Sequence, residues 1–287
     1  MSTNISTTMS AKPQLIIGQG DIGLPVTNKL AQGGVMVTGL ARRARSHYNL
    51  DPRAQFRQAD ALTLSAEDLH AFTGITIIVT PDEYSTRGYH ASYLSICQHI
   101  AAMADDLPNL ERAVFISSTG VYGQNNGEWI DEHTPPMPPK RDASKVILQA
   151  EQVLQQSFGD KAIIIRPSGI YGRARLMRLQ KAQQSPKEPI AGDDWSNRIM
   201  DSDLVTIITQ VLTIDAPKPL YIATDYAPVT TFELTTWLSR QVGTTPPEVD
   251  TTKSSMTGKR LHSNIPLSWL EFPDWQTGYR DILQHNR

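Results

Sequence analysis

The feature that most constrains the fold is a set of glycines in residues 14–23, QLIIGQGDIG. A short apolar run ends at Gly18, and Gly18, Gly20 and Gly23 have the spacing G-x-G-x-x-G. Gly18 permits a tight turn after a strand, Gly20 lets a pyrophosphate approach the backbone, and Gly23 lets the next helix pack closely. The spacing therefore predicts a dinucleotide-binding turn.

The context of this turn is that of a βαβ unit. Apolar residues at Ile22, Val26 and Leu30 predict a helix, and the apolar segment 35–40 predicts a second strand. The amides at the start of the helix, at Asp21 and Ile22, are expected to face the phosphates at the positive end of the helix dipole. A tight strand–helix turn without a ligand is the alternative.

Composition excludes several classes of protein. The chain has 287 residues, 27 Lys and Arg against 29 Asp and Glu, and a net charge of −2, which does not favour a nucleic-acid or acidic-membrane partner. Residues 1–12 are Ser/Thr-rich and are expected to form a flexible tail. The single cysteine fits a reducing compartment, and the histidines lack metal-ligand spacing. We expect a cytoplasmic protein without a metal site or membrane span.

Arginines after the second predicted strand bear on the choice of cofactor. An acid about 20 residues beyond the glycines would bind the ribose 2′-hydroxyl of NAD, whereas arginine suits the 2′-phosphate of NADP. This chain has Arg42 and Arg43 there. Two adjacent guanidinium groups favour NADP over NAD. A solvated basic loop is the alternative.

Two further strand ends supply candidate cofactor contacts. One short strand leads to Asp60 and Ala61, and the β-branched strand 75–79 ends at Thr80 and Pro81. Ligands of open α/β sheets bind outside the carboxyl ends of the strands, so these four residues are predicted cofactor neighbours. A carboxylate such as Asp60 is equally suited to capping a turn.

The helix after this strand carries an apolar stripe. Tyr93, Ile96, Cys97 and Ile100 recur at i, i+3, i+4 and i+7. This spacing predicts a core-facing helix. Cys97 is therefore interpreted as a packed thiol and not a nucleophile.

Several later motifs carry a family resemblance. The strand 113–116 is followed by residues 117–123, SSTGVYG, which resemble the S-S-x-x-V-Y-G segment of extended short-chain dehydrogenases/reductases, the NAD(P)-dependent sugar epimerases and dehydratases. Residues 166–172, RPSGIYG, resemble R-P-x-x-I-Y-G. Residues 197–204 resemble N-R-I-H-x-x-D-L, with Met200 in place of the usual His. The resemblance covers nearly the whole chain after residue 13.

This resemblance implies an α/β fold, a Rossmann doubly wound parallel sheet with a small C-terminal substrate lobe. Ser117 and Pro167, at strand ends, are then expected against the cofactor. The substrate cleft is expected between the two parts. The implied parts are the NAD(P)-binding domain 13–172, to which 197–224 return, and a substrate lobe of 173–196 and 225–287.

The family also implies a set of catalytic groups. A Ser or Thr holds the substrate hydroxyl or carbonyl, and a Tyr transfers the proton, its pKa lowered by a Lys four residues later. Ser118 matches the family serine. The acidic pair of the dehydratases is absent, because Thr119 and Gly120 stand in its place.

The tyrosine of this set is missing in both possible alignments. If Lys145 is the family lysine, Arg141 occupies the tyrosine position. If the alignment rests on Glu151, the pair becomes Ala143 and Ile147. The departure resembles the atypical branch of the family.

Two functions therefore stay open. The first is an NADP-dependent oxidoreductase or epimerase-like enzyme for a small hydroxylated or carbonyl substrate, a class that includes sugar nucleotides, with Ser118 and Lys145 as catalytic residues. The second is a non-catalytic NADP-binding sensor or regulatory protein, in which both residues are merely structural. In the first case another group would move the proton, the candidates being Tyr84, Tyr89, Lys140, Lys145 and Asp82.

Features outside the cofactor motifs concern substrate and partners. The proline-containing loop 125–139 is expected at the ligand edge. Family members often pair through helices that begin here near Tyr89 and Asp142, which makes a homodimer one expectation. A basic stretch suggests an anionic substrate, with a solvated helix face as the alternative, and consists of Arg173, Arg175, Arg178, Lys181 and Lys187.

Overall fold

A computed structural model describes residues 12–184, 188–253 and 256–285. The predicted tail, except for Lys12, and Lys187 of the basic stretch lie outside these ranges. The strands are β1 (Gln14–Ile17), β2 (Val37–Ala41), β3 (Gln55–Gln58), β4 (Gly74–Ile77), β5 (Arg112–Ile116), β6 (Trp129–Ile130), β7 (Ala162–Pro167), β8 (Gly169–Tyr171), β9 (Asp194–Ser196), β10 (Arg198–Met200), β11 (Leu220–Ala223), β12 (Val229–Thr230), β13 (Thr257–Gly258) and β14 (Arg260–Leu261).

Helices alternate with the longer strands. They are α1 (Gly23–Gln32), α2 (Ala66–Leu69), α3 (Thr86–Tyr89), α4 (Ser95–Ala101), α5 (Asp142–Phe158), α6 (Met177–Gln183), α7 (Asp201–Thr213), α8 (Thr231–Val242) and α9 (Trp275–His285). A π-helical turn, His90–Leu94, joins α3 to α4. The amphipathic helix predicted around Cys97 is therefore interrupted.

Within the described ranges, one sheet contains seven strands in the order β11-β7-β5-β4-β1-β2-β3, and every pair in it is parallel. The order reverses between β1 and β4, because the chain adds strands on one side of β1 and then on the other. This is the doubly wound Rossmann topology, and the predicted fold class is confirmed. A crevice for ligands is expected at this reversal, at the carboxyl ends of the strands.

Both faces of the sheet are covered, which explains why inner strands such as β1, β4 and β5 are largely apolar without alternation, whereas the edge strand β3 is polar and partly exposed. Leu15 and Ile17 of β1 face a core cluster that includes Cys97 and residues of α5. Ile16 faces the opposite cluster, formed with α1 and α7. Cys97 is fully buried as predicted, and burial raises the pKa of its thiol.

The short strands β6, β8 to β10 and β12 to β14 lie outside the main sheet. They form the pairs β8–β10 and β6–β14 and the three-stranded set β12-β9-β13. A third core cluster includes Tyr171, Leu234 and Tyr279, contributed by β8, α8 and α9. In the part of the chain that is described, no helix combines the length and hydrophobicity needed to cross a bilayer. The same part contains no group of three or more His, Cys, Asp or Glu residues arranged to hold a metal ion.

Candidate cofactor site

A cleft of about 520 Å³ opens at the carboxyl ends of β1, β2, β4 and β5. Nearly all the residues predicted to contact a cofactor line it. These are Gly18, Gly20, Asp21, Ile22, Gly23, Arg42, Arg43, Asp60, Ala61, Thr80, Ser117 and Pro167. Pro81 is the exception, because it is buried while its neighbours Thr80 and Asp82 face the cleft.

The glycine turn has the geometry that a dinucleotide requires. Gly18 has φ +99°, and a Cβ there would lie 2.0 Å from the carbonyl oxygen of Ile78. A Cβ at Gly23 would lie 1.9 Å from the carbonyl oxygen of Gly18. At Gly20, by contrast, no atom lies within 4 Å of the Cβ position. Two glycines therefore serve packing, and the space beside the third is open for a phosphate.

The turn is held by a side chain that the motif does not specify. Gln19 is buried, and its amide donates to the carbonyl of Ile16 at 3.1 Å and to Thr27 Oγ1 at 3.0 Å. A Cβ at Gly39 would lie 2.7 Å from this amide. The helix α1 begins after Ile22, which has no side-chain cap. The first amides of α1 are thus directed at the cleft without a competing side-chain acceptor, so the residues present fit a bound pyrophosphate.

Charged side chains line the part of the cleft beyond β2. Arg42 Nη2 lies 2.5 Å from Asp82 Oδ1, and both side chains are exposed. The hydrogen bond from Arg42 lowers the pKa of Asp82, and the same bond raises the pKa of Arg42. Asp60 both lines the cleft and caps a turn, since its Oδ1 accepts from the amide of Leu62 at 3.0 Å.

The basic stretch after β8 divides between two locations. Arg175 lines the cofactor cleft, and its Nη2 lies 3.1 Å from Asp21 Oδ2 on the glycine turn. Arg173 instead pairs with Asp281 of α9 at 3.0 Å. Sequence reasoning grouped both with the substrate lobe, because only the fold brings residue 175 back to residue 21.

A buried ion pair lies behind Ser117. Arg166 donates to Glu151 from Nε at 2.9 Å and from Nη2 at 2.6 Å, and Ser117 Oγ donates to the same carboxylate. The guanidinium also lies 4.7 Å from the centre of the Tyr122 ring. Glu151 is 1% exposed and Arg166 is 5% exposed. The network fixes the wall of the cleft, and its polar atoms are engaged with one another.

The start of helix α5 and the residue before it contain the residues of both alignments of the missing tyrosine. Lys145 is exposed and pairs with Asp142 at 2.8 Å, and Arg141 is exposed too. Ala143 is half-buried, while Ile147 and Glu151 are buried. Of these residues Ile147 packs into the core beside the sheet, and none of the residues of either aligned pair lines the cleft.

The predicted catalytic residues lie outside the cleft lining. Ser118 is half-buried, and its Oγ accepts from the amide of Gly120 at 3.0 Å. Lys145 is on the outer surface of α5. Of the other proton-transfer candidates, Asp82 lines the cleft, Tyr84 is 85% exposed, and Tyr89 and Lys140 do not line it.

One tyrosine that sequence reasoning assigned to the core does reach the cleft. Tyr93 lines it, stacks on Tyr89 at 5.5 Å and meets Phe115 edge-on at 6.0 Å. Burial raises the pKa of Tyr93 to about 12. Its hydroxyl is therefore protonated at neutral pH and available as a donor. The π-helical turn, which the sequence did not reveal, contains this residue.

The comparisons with known proteins agree with this geometry. Residues 15–187 match the model of the NAD dependent epimerase/dehydratase family. The chain belongs to the NAD-dependent epimerase/dehydratase family. This confirms the resemblance to extended short-chain dehydrogenases/reductases. A search of curated proteins gave no significant match.

Solved structures share the fold over the full chain. One from Methylobacillus flagellatus, named for the same family, is 31% identical with a TM-score of 0.78, covering 97% of this chain and 100% of that one. A functionally unknown protein from Silicibacter pomeroyi is 21% identical, with a TM-score of 0.72 and coverage of 96% and 99%. UDP-glucuronic acid 4-epimerase from Bacillus cereus, in complex with NAD, is 16% identical, with a TM-score of 0.71 and coverage of 96% and 100%.

Proposed function

We propose that the chain is an NADP-dependent oxidoreductase or epimerase-like enzyme for a small hydroxylated or carbonyl substrate. The observation that carries the proposal is that the glycine turn and two adjacent arginines line one cleft at the reversal point of the sheet. The cofactor would supply hydride transfer, and the protein would position it and its substrate. The UDP-sugar epimerase among the structural neighbours supports including sugar nucleotides in the substrate class.

The preference for NADP depends on Arg42 and Arg43. Both line the cleft after β2, where a 2′-phosphate would gain charge-assisted hydrogen bonds. The Bacillus cereus neighbour is in complex with NAD. The present chain would instead prefer NADP, because Arg42 and Arg43 offer donors that match a phosphate.

The catalytic assignments have unequal support. Ser118 follows Ser117, which lines the cleft, but its own Oγ lies outside the lining and accepts from the amide of Gly120. Lys145 would first have to leave Asp142. Tyr93 lines the cleft, and because burial raises its pKa to about 12 it would act as a hydrogen-bond donor that positions the substrate and not as the group that gives up a proton.

The two parts of the chain would divide the work. Residues 13–172 and 197–224 would bind the cofactor, and residues 173–196 and 225–287 would bind the substrate. The helices near Tyr89 and Asp142 would form the contact of a homodimer, which light scattering of the purified protein tests.

A non-catalytic NADP-binding protein is the second candidate. The observation that favours it is that neither alignment supplies a tyrosine, and that none of Arg141, Lys145, Ala143 and Ile147 lines the cleft. Such a protein would use the same cleft as a sensor of the reduced and oxidised cofactor.

Turnover separates the two candidates. NADPH oxidation is followed at 340 nm with a panel of small carbonyls, and conversion of UDP-sugars is followed by chromatography with NADP present. Turnover that Tyr93→Phe abolishes without loss of NADPH binding supports the enzyme. NADPH binding without turnover on any compound supports the sensor, and failure to bind either nicotinamide cofactor rejects both.

A further inference from the structure

Arg175 is placed on the rim of the cleft by a tight turn. Its backbone amide donates to the carbonyl of Gly172 at 2.9 Å, and the two residues form an isolated antiparallel bridge. The turn directs the side chain towards the glycine turn. Arg175 therefore lines the same cleft as Gly20 and Asp21, although more than a hundred residues separate them in sequence.

Among the described residues, the guanidinium of Arg175 makes one side-chain hydrogen bond. Nη2 donates to Asp21 Oδ2 at 3.1 Å. Nε is buried and has no hydrogen-bond partner among the described residues. The side chain is 33% exposed, so the end of the guanidinium that faces the cleft, and not the buried Nε, is open to a ligand that brings acceptor oxygens.

Asp21 places a negative charge beside the expected position of the pyrophosphate, and a nearby cation would offset it. Asp21 lies between Gly20, which leaves open space, and the uncapped start of α1. A carboxylate at this point would repel an incoming pyrophosphate. Arg175 offsets that charge, and its planar fork can donate to a phosphate oxygen at the same time. A second carboxylate, Asp201, also faces this group, and its pKa is raised mainly by burial.

We infer that Arg175 is a cofactor-binding residue that contacts the pyrophosphate from the side opposite the glycine turn, with Asp21 holding the guanidinium in place. This inference rests on the proposed function, since it needs a dinucleotide in the cleft. It assigns Arg175 and Arg42 to different phosphates. Arg42 lies beyond β2, where the 2′-phosphate is expected, and Arg175 lies over the glycine turn.

The test compares ligands that carry different phosphates. Arg175→Met is titrated with NADPH, with NADH and with 2′-AMP, which has the 2′-phosphate and no pyrophosphate. The expected result is a loss of affinity on the order of tenfold for both dinucleotides and an unchanged affinity for 2′-AMP. Arg175→Lys, which keeps the charge and loses the fork, is expected to fall between Arg175→Met and the unmodified protein.

The matched control is Arg173→Met, which removes a nearby arginine that pairs with Asp281 outside the cleft. It is expected to leave all three affinities unchanged. The inference is overturned if Arg175→Met and Arg175→Lys bind both dinucleotides as the unmodified protein does, or if they weaken 2′-AMP equally. If the unmodified protein binds neither dinucleotide, the proposed function itself fails, and the two failures are thereby distinguished.

Discussion

Asp82 Oδ1 lies 2.5 Å from Arg42 Nη2, so the arginine expected to bind a 2′-phosphate is already paired with a carboxylate. Arg42 follows β2 and Asp82 follows β4, and the pair spans the mouth of the cleft across the end of β1. Both side chains are largely exposed, so the pair contributes little to stability. Its consequence is for binding, because a 2′-phosphate must compete with Asp82 for the guanidinium.

Removing this competitor should strengthen NADPH binding. Asp82→Asn leaves Arg42 free and removes a negative charge from the mouth of the cleft. We expect NADPH affinity to rise by about two- to fivefold, because an exposed ion pair is screened by water and salt and competes only weakly. The affinity for NADH should change little. Nicotinamide fluorescence titrations of both cofactors measure the effect.

The control is Glu83→Gln, which makes the same change of charge at the next residue, also exposed. It should affect NADPH much less than Asp82→Asn. Equal gains from both variants would show a general field effect and would contradict a specific role for the Arg42–Asp82 pair.

Alanine at two of the glycines should separate folding from binding. Gly20→Ala meets no atom within 4 Å, so the melting temperature should stay close to that of the unmodified protein. The added methyl group would occupy the phosphate space and weaken NADPH by about tenfold or more. Gly18→Ala, with φ +99° and a 2.0 Å contact to a backbone oxygen, should instead destabilise the fold. Thermal melts and titrations of both variants test this, and full NADPH affinity in Gly20→Ala would contradict it.

These glycines also show what the sequence could predict. A G-x-G-x-x-G spacing is local, and its physical reasons apply wherever a strand precedes it, so the turn could be predicted from it directly. The doubly wound sheet was implied by the family resemblance, and the other cleft residues were predicted from that resemblance and from the ends of further strands. The alternative alignments of α5 could not be decided in this way. The burial of their residues depends on which face of the helix packs against the rest of the protein. Lys145 is exposed and Ile147 is buried, and this difference appears only in the folded chain.

The buried pair behind Ser117 should be important for stability. Glu151→Gln leaves Arg166 buried with its charge uncompensated, and we expect a loss of about 3 kcal/mol in the free energy of unfolding. Glu111→Gln is the matched control, because Glu111 pairs with Lys12 at the surface and should contribute at most about 1 kcal/mol. Urea denaturation measures both. Similar small losses in both variants would contradict a large contribution of the Glu151–Arg166 pair to the free energy of unfolding.

Asp225 should make stability depend on pH. Burial raises its pKa to about 8 from an ordinary value of 3.8, and its Oδ2 has no hydrogen-bond partner in the described chain. Between these two pKa values the Asp225 carboxyl is ionised in the unfolded chain and protonated in the folded protein. The stability contributed by this group is therefore complete below about pH 4 and is lost as the pH rises through 8.

The measurement is the melting temperature of the unmodified protein and of Asp225→Asn from pH 5 to pH 8. The variant should gain stability relative to the unmodified protein as the pH rises. Asp160→Asn, at an exposed position, should show no such trend. Parallel curves for Asp225→Asn and the unmodified protein would show that Asp225 ionises normally in the folded state.

Contacts between distant segments were the part that the sequence could not supply. Arg175 pairs with Asp21, and Tyr93 lines the cleft through a π-helical turn. A basic stretch and an apolar stripe predict a solvated face and a core face, and both readings assume regular helices. The fold instead places Arg175 of the basic stretch, and Tyr93 and Ile96 of the apolar stripe, in the cofactor cleft.

The most direct test of the central claim is a titration of the purified protein with NADPH and with NADH, followed by nicotinamide fluorescence. The account predicts saturable binding of NADPH and markedly weaker binding of NADH, with the difference lost when Arg42 and Arg43 are both replaced by Gln. Equal affinity for the two cofactors would contradict the assignment of NADP, and binding of neither would contradict a cofactor site in this cleft.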